Sequence, residues 1–430
     1  MAPVSISYLS TINLASVLRS SLLIIIVAIL LPAITFAQNP RVDPDTGKIR
    51  TLFIGDPFLQ PGYPTLALIE DPKIQLTRIE AEIGYRDPVR IGIPRMQRFL
   101  RLYLPRSRSD LIDNYDMLIV TAIRSNDLKI QFQLWAKEAV EEHGFGFMMS
   151  DDPTSFGGAD TVWTTGPPWD PTPVGDILPV KGAGVVSHRD HMFRLKPTGD
   201  SPLTNGIPWE GMPLIWSHNR PDPKGGSTVL AVTTDETVDT DPKNDEIIIY
   251  WEYGEGRSLA FIWDWGGNGL VPFYRWDYWK DFIARLVYFP VRAEIPQDLT
   301  VTHTLRVKIG QYESEKDLVL SLIEFADTFG ANTNDLNREL GATDDLRDEV
   351  DRLWIEEEYE ECLPAMEEAL SSLKGVMDSA MEAKDRALLW VYLIEWLTVA
   401  GTSIITGVVV WTLMVRRRLY KQVAATRFES

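Results

Sequence analysis

The chain has 430 residues, of which 45% are hydrophobic and 24% charged, and 61 acidic against 42 basic side chains give a formal charge of −19. Such a composition excludes a disordered acidic tail and a wholly membrane-embedded protein, and the length allows two or three domains. The acidic excess argues against a broad nucleic-acid surface. The single cysteine, Cys362, excludes an internal disulfide, a cysteine-built zinc site and a Cys-x-x-Cys redox centre.

In chain order, residues 1–37 come first. Arg19 precedes an apolar run at 22–31, then Pro32 and the small-residue exit Thr35, Phe36, Ala37. The run is short for a bilayer span, and the order of parts is that of a secretory signal cleaved after Ala37, with an uncleaved anchor starting near Leu22 as the alternative. Residues 50–54 form an apolar run stopped by Gly55, Asp56 and Pro57, which predicts a buried strand; 115–120 predicts another. Helical spacing at 131–142 puts Leu134, Trp135 and Val140 on one face, closed by His143 and Gly144, and 145–149 predicts a third strand. Further strands are expected at 227–232, 246–252 and 258–263, with a tight hairpin at Gly254 and Gly256, and a closing helix at 276–289. Strand, helix and strand at this spacing predict an α/β domain over 50–290 with a parallel sheet.

Residues 291–310 read as a linker, with alternation at 299–307 predicting a linking strand. Residues 311–386 read as a helical stalk. Leu318, Leu320, Leu322, Ile323 and Phe325 begin one helix, Leu336 and Leu340 a short second, and Leu346, Val350, Leu353 and Trp354 a third. A fourth begins near Pro364, and its positions Leu363, Met366, Leu370, Leu373 and Met377 make a heptad seam. That seam packs within the chain on 346–354, or serves a homodimer or a membrane-protein partner. Residues 396–415 carry no charge, enough to cross a bilayer as a helix starting near Ala387. Trp390, Tyr392 and Trp396 then fall in the outer interfacial belt with Glu395, and Trp411 near the other face. The tail 416–430 has five basic residues and one acid, which places it in the cytoplasm and the acidic bulk outside.

An ordered set of residues lies along the α/β domain. It runs from the strand ending at Val120, through 144–149, Ser155 to Gly158, Thr172 and Pro173, 177–180, Ser201 to Leu203, 207–209 and His218-Asn219. It ends in Gly254-Glu-Gly-Arg257 and Asp264-Trp265 with a Trp-rich closing helix. This set resembles the putative glutamine amidotransferase-like domain family, a branch of the class I amidotransferase fold. The resemblance covers roughly 50–290 and implies a flavodoxin-like α/β domain. Amidotransferase chemistry needs a thiolate at the strand-to-helix elbow with His and Glu partners. Here the elbow reads Ser150, Asp151, Asp152, Pro153, and Cys362 lies outside the domain. The departure implies a domain without that activity.

Other chemistry has few candidates. Asp151 and Asp152 follow a buried strand, where paired carboxylates can share a proton or hold a cation, though Asp-Asp-Pro is also turn sequence. His188 and His191, three apart, would face one metal on a helix; an exposed polar turn is the plainer expectation. His218 and Asn219 read as a loop that stabilises a turn or binds a ligand near the sheet's carboxyl ends. Asp264 and Trp265 follow the last strand, beside Trp263, Trp276 and Trp279, which make either a sugar-stacking wall or a Trp-rich core. No metal or cofactor is expected and the ligand is not specified. Two function classes follow: a non-catalytic binding or scaffold module on a single membrane anchor, or a surface hydrolase using Asp151, Asp152 and His218 on a carbohydrate or amide.

Overall fold

The structure is a computed structural model. It describes residues 39–55, 64–81, 93–121, 123–150, 153–156, 169–182, 188–218, 222–234, 245–263, 273–296 and 298–426. Two compact units divide the chain, Met1–Pro40 and Arg41–Ser430. The expected signal segment lies outside the described residues, and every helix and strand named here belongs to the second unit.

The elements are β1 (Ile49–Gly55), α1 (Pro64–Glu70), β2 (Ile74–Glu80), α2 (Ile93–Tyr103), α3 (Arg108–Asn114), β3 (Met117–Thr121), α4 (Ile130–His143), β4 (Gly146–Ser150), α5 (Pro153–Phe156) and α6 (Pro173–Ile177). They continue with β5 (Val180–Lys181), β6 (His188–Phe193), β7 (Leu195–Pro197), β8 (Ile215–His218), β9 (Asp222–Pro223), β10 (Thr228–Thr233), β11 (Glu246–Tyr253), β12 (Gly256–Phe261) and α7 (Trp279–Tyr288). Three long helices follow: α8 (Leu299–Thr328), α9 (Asn334–Ile355) and α10 (Tyr359–Thr426).

An eight-stranded sheet in the order β2-β1-β3-β4-β12-β11-β10-β7 organises the α/β part. The pairs from β2 to β12 are parallel. Those from β12 to β7 are antiparallel, so the sheet is mixed, and the first antiparallel pair is the hairpin expected at Gly254 and Gly256. The physical reason is the short turn after Tyr253: a two-residue connection can only reverse the chain. Gly254 adopts φ +61 there, and a Cβ on it would overlap the Glu141 carbonyl at the end of α4. The central parallel strands β1, β3 and β4 are buried on both faces, as their unbroken apolar runs require. Helix α4 ends on Gly144 in the left-handed conformation, its N–H bonded to the Ala139 carbonyl.

Residues 299–307 are helical, not a strand. Asp298 caps α8 by accepting from the N–H groups of Thr300 at 2.9 Å and Val301 at 3.4 Å. The β-branched alternation is overridden because Leu305, Ile309 and Tyr312 bury on a helical period against α9 and α10. The two short helices expected at 336–340 and 346–354 are one, α9, which runs on through Gly341 because Leu336, Leu340, Val350, Leu353 and Trp354 all bury in the same core. In α10, Met366 and Leu373 are fully buried, and Leu363, Leu370 and Met377 pack on the same core, so the heptad seam is used within the chain. Pro364 sits inside α10, whose first residue is Tyr359. The three-helix bundle joins the α/β domain through buried ions. Arg306 pairs with Asp71 and, at 3.1 Å, with Asp281; the Tyr288 hydroxyl donates to Asp71 at 2.7 Å.

Helix α10 has 68 residues, about 100 Å. Burial ends at Ala387, and from Leu389 to Tyr420 its large apolar side chains are exposed. Among the described residues it is the one helix long and apolar enough to cross a membrane.

Candidate functional site

The carboxyl ends of the parallel strands are where α/β sheets place ligands. Gly55 and Thr121 end β1 and β3 so closely that a Cβ on Gly55 would overlap the Thr121 carbonyl. Strand β4 ends at Ser150, and α5 begins at Pro153. Ser150 is fully buried, and its hydroxyl donates to the Trp263 carbonyl at 3.0 Å. The hydroxyl is thus engaged by the backbone beside the last strand.

Trp263 forms a backbone bridge with His218, the last residue of β8. His218 is therefore at a strand end, not in the loop expected for it. Its ring is 1% exposed, and Nε2 lies 2.8 Å from Asp245 Oδ2. The Phe193 ring meets the imidazole edge-on at 4.8 Å between centroids. Asp245 is held by its backbone: its N–H donates to Thr233 Oγ1 at 3.1 Å, and its carbonyl accepts from the Thr233 N–H at 2.8 Å. The carboxylate thus fixes the imidazole's orientation, the arrangement that prepares a histidine to hold a polar ligand or move a proton. Nothing in the sequence paired Asp245 with His218, because 27 residues separate them and only the β8 and β11 positions bring them together.

Asp151, Asp152, Asn219, Asp264 and Trp265 lie outside the described residues. His188 and His191 lie in β6, which corrects the helical i, i+3 geometry on which a shared metal depended. Trp263, Trp276 and Trp279 are buried with Phe273, and half-buried Trp209 packs on them, at ring separations of 4.8 Å for Trp263–Phe273 and 5.4 Å for Trp209–Trp276. These rings form core. Arg257 of the Gly-x-Gly-Arg turn stacks 4.2 Å over Phe289, bonds the Phe289 carbonyl at 2.7 Å and pairs with Glu252, so it fastens the hairpin to the end of α7. The candidate metal ligands Glu138, Glu142 and His143 gather on exposed α4. Arg108 already supplies their cation, 2.5 Å from Glu138 and 3.0 Å from His143 Nε2.

Cys362 is buried in the helical bundle, its thiol directed at the Val350 carbonyl at 3.7 Å and pushed up to about 12 by burial. Buried in the bundle and protonated, it is not a reactive thiolate.

No family model and no curated protein matches this chain. Similar solved structures include the cytoplasmic protein STM1381 from Salmonella typhimurium LT2, at 18% identity and a TM-score of 0.43, covering 56% of this chain and 99% of that one. The cytoplasmic protein STM3548 from Salmonella typhimurium gives 17% and 0.40 over the same shares. A beta-galactosidase from Rahnella sp. R3 gives 12% and 0.33, over 60% of this chain and 32% of the enzyme.

Proposed function

We propose that the chain is a single-pass membrane protein whose α/β domain is a non-catalytic, amidotransferase-like binding or scaffold module held outside the cytoplasm. The observation that carries this is Ser150 at the elbow, with its hydroxyl bound to the Trp263 carbonyl in place of a presented thiolate. The fold assignment draws on the parallel strands, whose order β2-β1-β3-β4-β12 follows the flavodoxin-like 2-1-3-4-5 pattern. The topology draws on the exposed apolar length of α10 and the arginines at 416–418 that follow it. With the heptad seam taken up inside the bundle, a membrane-protein partner or a second copy would meet the exposed membrane-crossing length of α10 or the outer face of the bundle.

A second class, a surface hydrolase using His218 with Asp151 or Asp152, is favoured by one observation, the buried His218–Asp245 pair at 2.8 Å. Purified full-length protein in zwitterionic lipid discs separates the two. The binding-module reading expects no ammonia from glutamine and no turnover of amide or glycoside reporters. It also expects the tail to be protected from protease in right-side-out vesicles while the α/β domain is cut. Turnover that disappears in His218→Gln and Asp245→Asn would establish the hydrolase instead.

A further inference from the structure

We propose that a cleft between α2 and the first turns of α4 binds small organic anions with an apolar body, aryl or alkyl carboxylates being the class. The cleft measures about 510 Å³, within the range of ligand pockets. Its floor is apolar: Leu100 and Phe132 are each 3% exposed, and Leu104 and Trp135 are half-buried beside them.

Its rim is cationic. Arg101, Arg106 and Lys129 border the opening, and among the described residues none of the three forms an ion pair; Arg106 is engaged only through its backbone N–H, on Asp110. Among the described residues the one acid lining the cleft, Asp127, is already held by Arg124 through bonds of 2.9 and 3.1 Å. Among the described lining residues no carboxylate is left to neutralise the rim. The surrounding sequence runs against the chain as a whole: positions 86 to 108 hold seven arginines and one acid in a protein with net charge −19.

The walls are also built in advance. Gln133, buried on α4, donates from Nε2 to the carbonyls of Ser125 at 2.8 Å and Leu128 at 2.9 Å, which fixes the loop leaving β3. Lys129, the residue before α4, makes no side-chain cap, so the helix's positive end adds to the rim. The loop lies where the chain leaves the carboxyl end of β3, the edge at which α/β sheets take ligands. Two guanidinium forks above an apolar floor suit a planar carboxylate carried on a ring or short chain. A nucleic acid does not fit, because the chain as a whole is strongly acidic. The inference is independent of the elbow and of the membrane topology.

The test uses the intact protein in zwitterionic lipid discs and titrates 2-naphthoate by calorimetry, with the neutral 2-naphthamide as its twin. Saturable binding is expected, with the amide weaker by roughly tenfold or more. Arg101→Gln combined with Arg106→Gln is expected to weaken naphthoate by a similar factor. Arg98→Gln, on α2 but outside the cleft lining, should leave it unchanged. A circular-dichroism spectrum and melting temperature matching the parent show that the double variant is folded; should it unfold, Lys129→Gln is read in its place. Absence of saturable binding, equal binding of acid and amide, or indifference to the arginine substitutions each overturns the proposal.

Discussion

Replacing Arg306 by methionine should cost the protein about 4 kcal/mol of stability, since breaking one side of a buried ion pair typically costs about 3–5 kcal/mol. The guanidinium is 7% exposed, pairs with Asp71 and Asp281, whose side chains are 0% and 2% exposed, and lies 4.9 Å over the Trp354 ring. Burial pulls its pKa down, but Asp71, Tyr288 and Asp281 outweigh that and hold it above the ordinary value. Methionine fills much of the volume but leaves two carboxylates in the interior. Asp71 keeps only the Tyr288 hydroxyl at 2.7 Å and the Lys73 N–H at 3.0 Å, and Asp281 keeps His303 at 2.8 Å. Against a total of about 5–15 kcal/mol for an ordinary domain, the loss is large. Urea unfolding of the intact chain in neutral detergent, followed by tryptophan fluorescence, measures it, because Trp354 lies against the network. Adding Asp71→Asn and Asp281→Asn to Arg306→Met should restore most of the loss by removing the stranded charges. A single variant within about 1 kcal/mol of the parent, or a triple variant no better than the single, would refute the buried-charge account.

Cys362 should resist iodoacetamide at pH 8.5 in the native protein and react fully in urea, because burial pushes its thiol up to about 12. The unfolded thiol ionises near 9.0 while the folded one stays protonated, so the unfolded state binds fewer protons and stability should fall as pH rises from about 9 towards 12. Gly254→Ala should destabilise by about 1–2 kcal/mol or more, since it forces a side chain into φ +61 and onto the Glu141 carbonyl; a thermal melt unchanged from the parent would contradict that geometry.

The strands at 50–54, 145–149 and 246–252 were legible because buried strands need unbroken apolar runs, and α4 because its period and Gly144 stop agree. Helix α8 was misread at its start, where Thr300, Val301, Thr302 and Thr304 imitate strand alternation. Only the burial of Leu305 and Ile309 against distant α9 and α10 decides the matter, and that is long-range information. Of the site, His218 could be singled out by residue type and approximate place. Its partner Asp245 could not, because a tertiary hydrogen bond leaves no local pattern. The cleft rim escaped notice for a related reason: arginines on an amphipathic helix look the same whether or not acids elsewhere in the fold answer them.

Helices α8 and α10 both start at the α/β domain and run side by side, with Lys308 reaching Glu367 at 3.2 Å. Carrying that offset along, the end of α8 at Thr328 comes level with Ala387, where α10 loses its packing partners. From Tyr359 to that level a helix rises about 40 Å. In the proposed topology the bundle is thus a spacer of fixed height, with no slack peptide between it and the lipid. Whatever engages the sheet's carboxyl edge must meet it several nanometres above the headgroups, which favours soluble molecules and tall neighbours over anything dissolved in the bilayer.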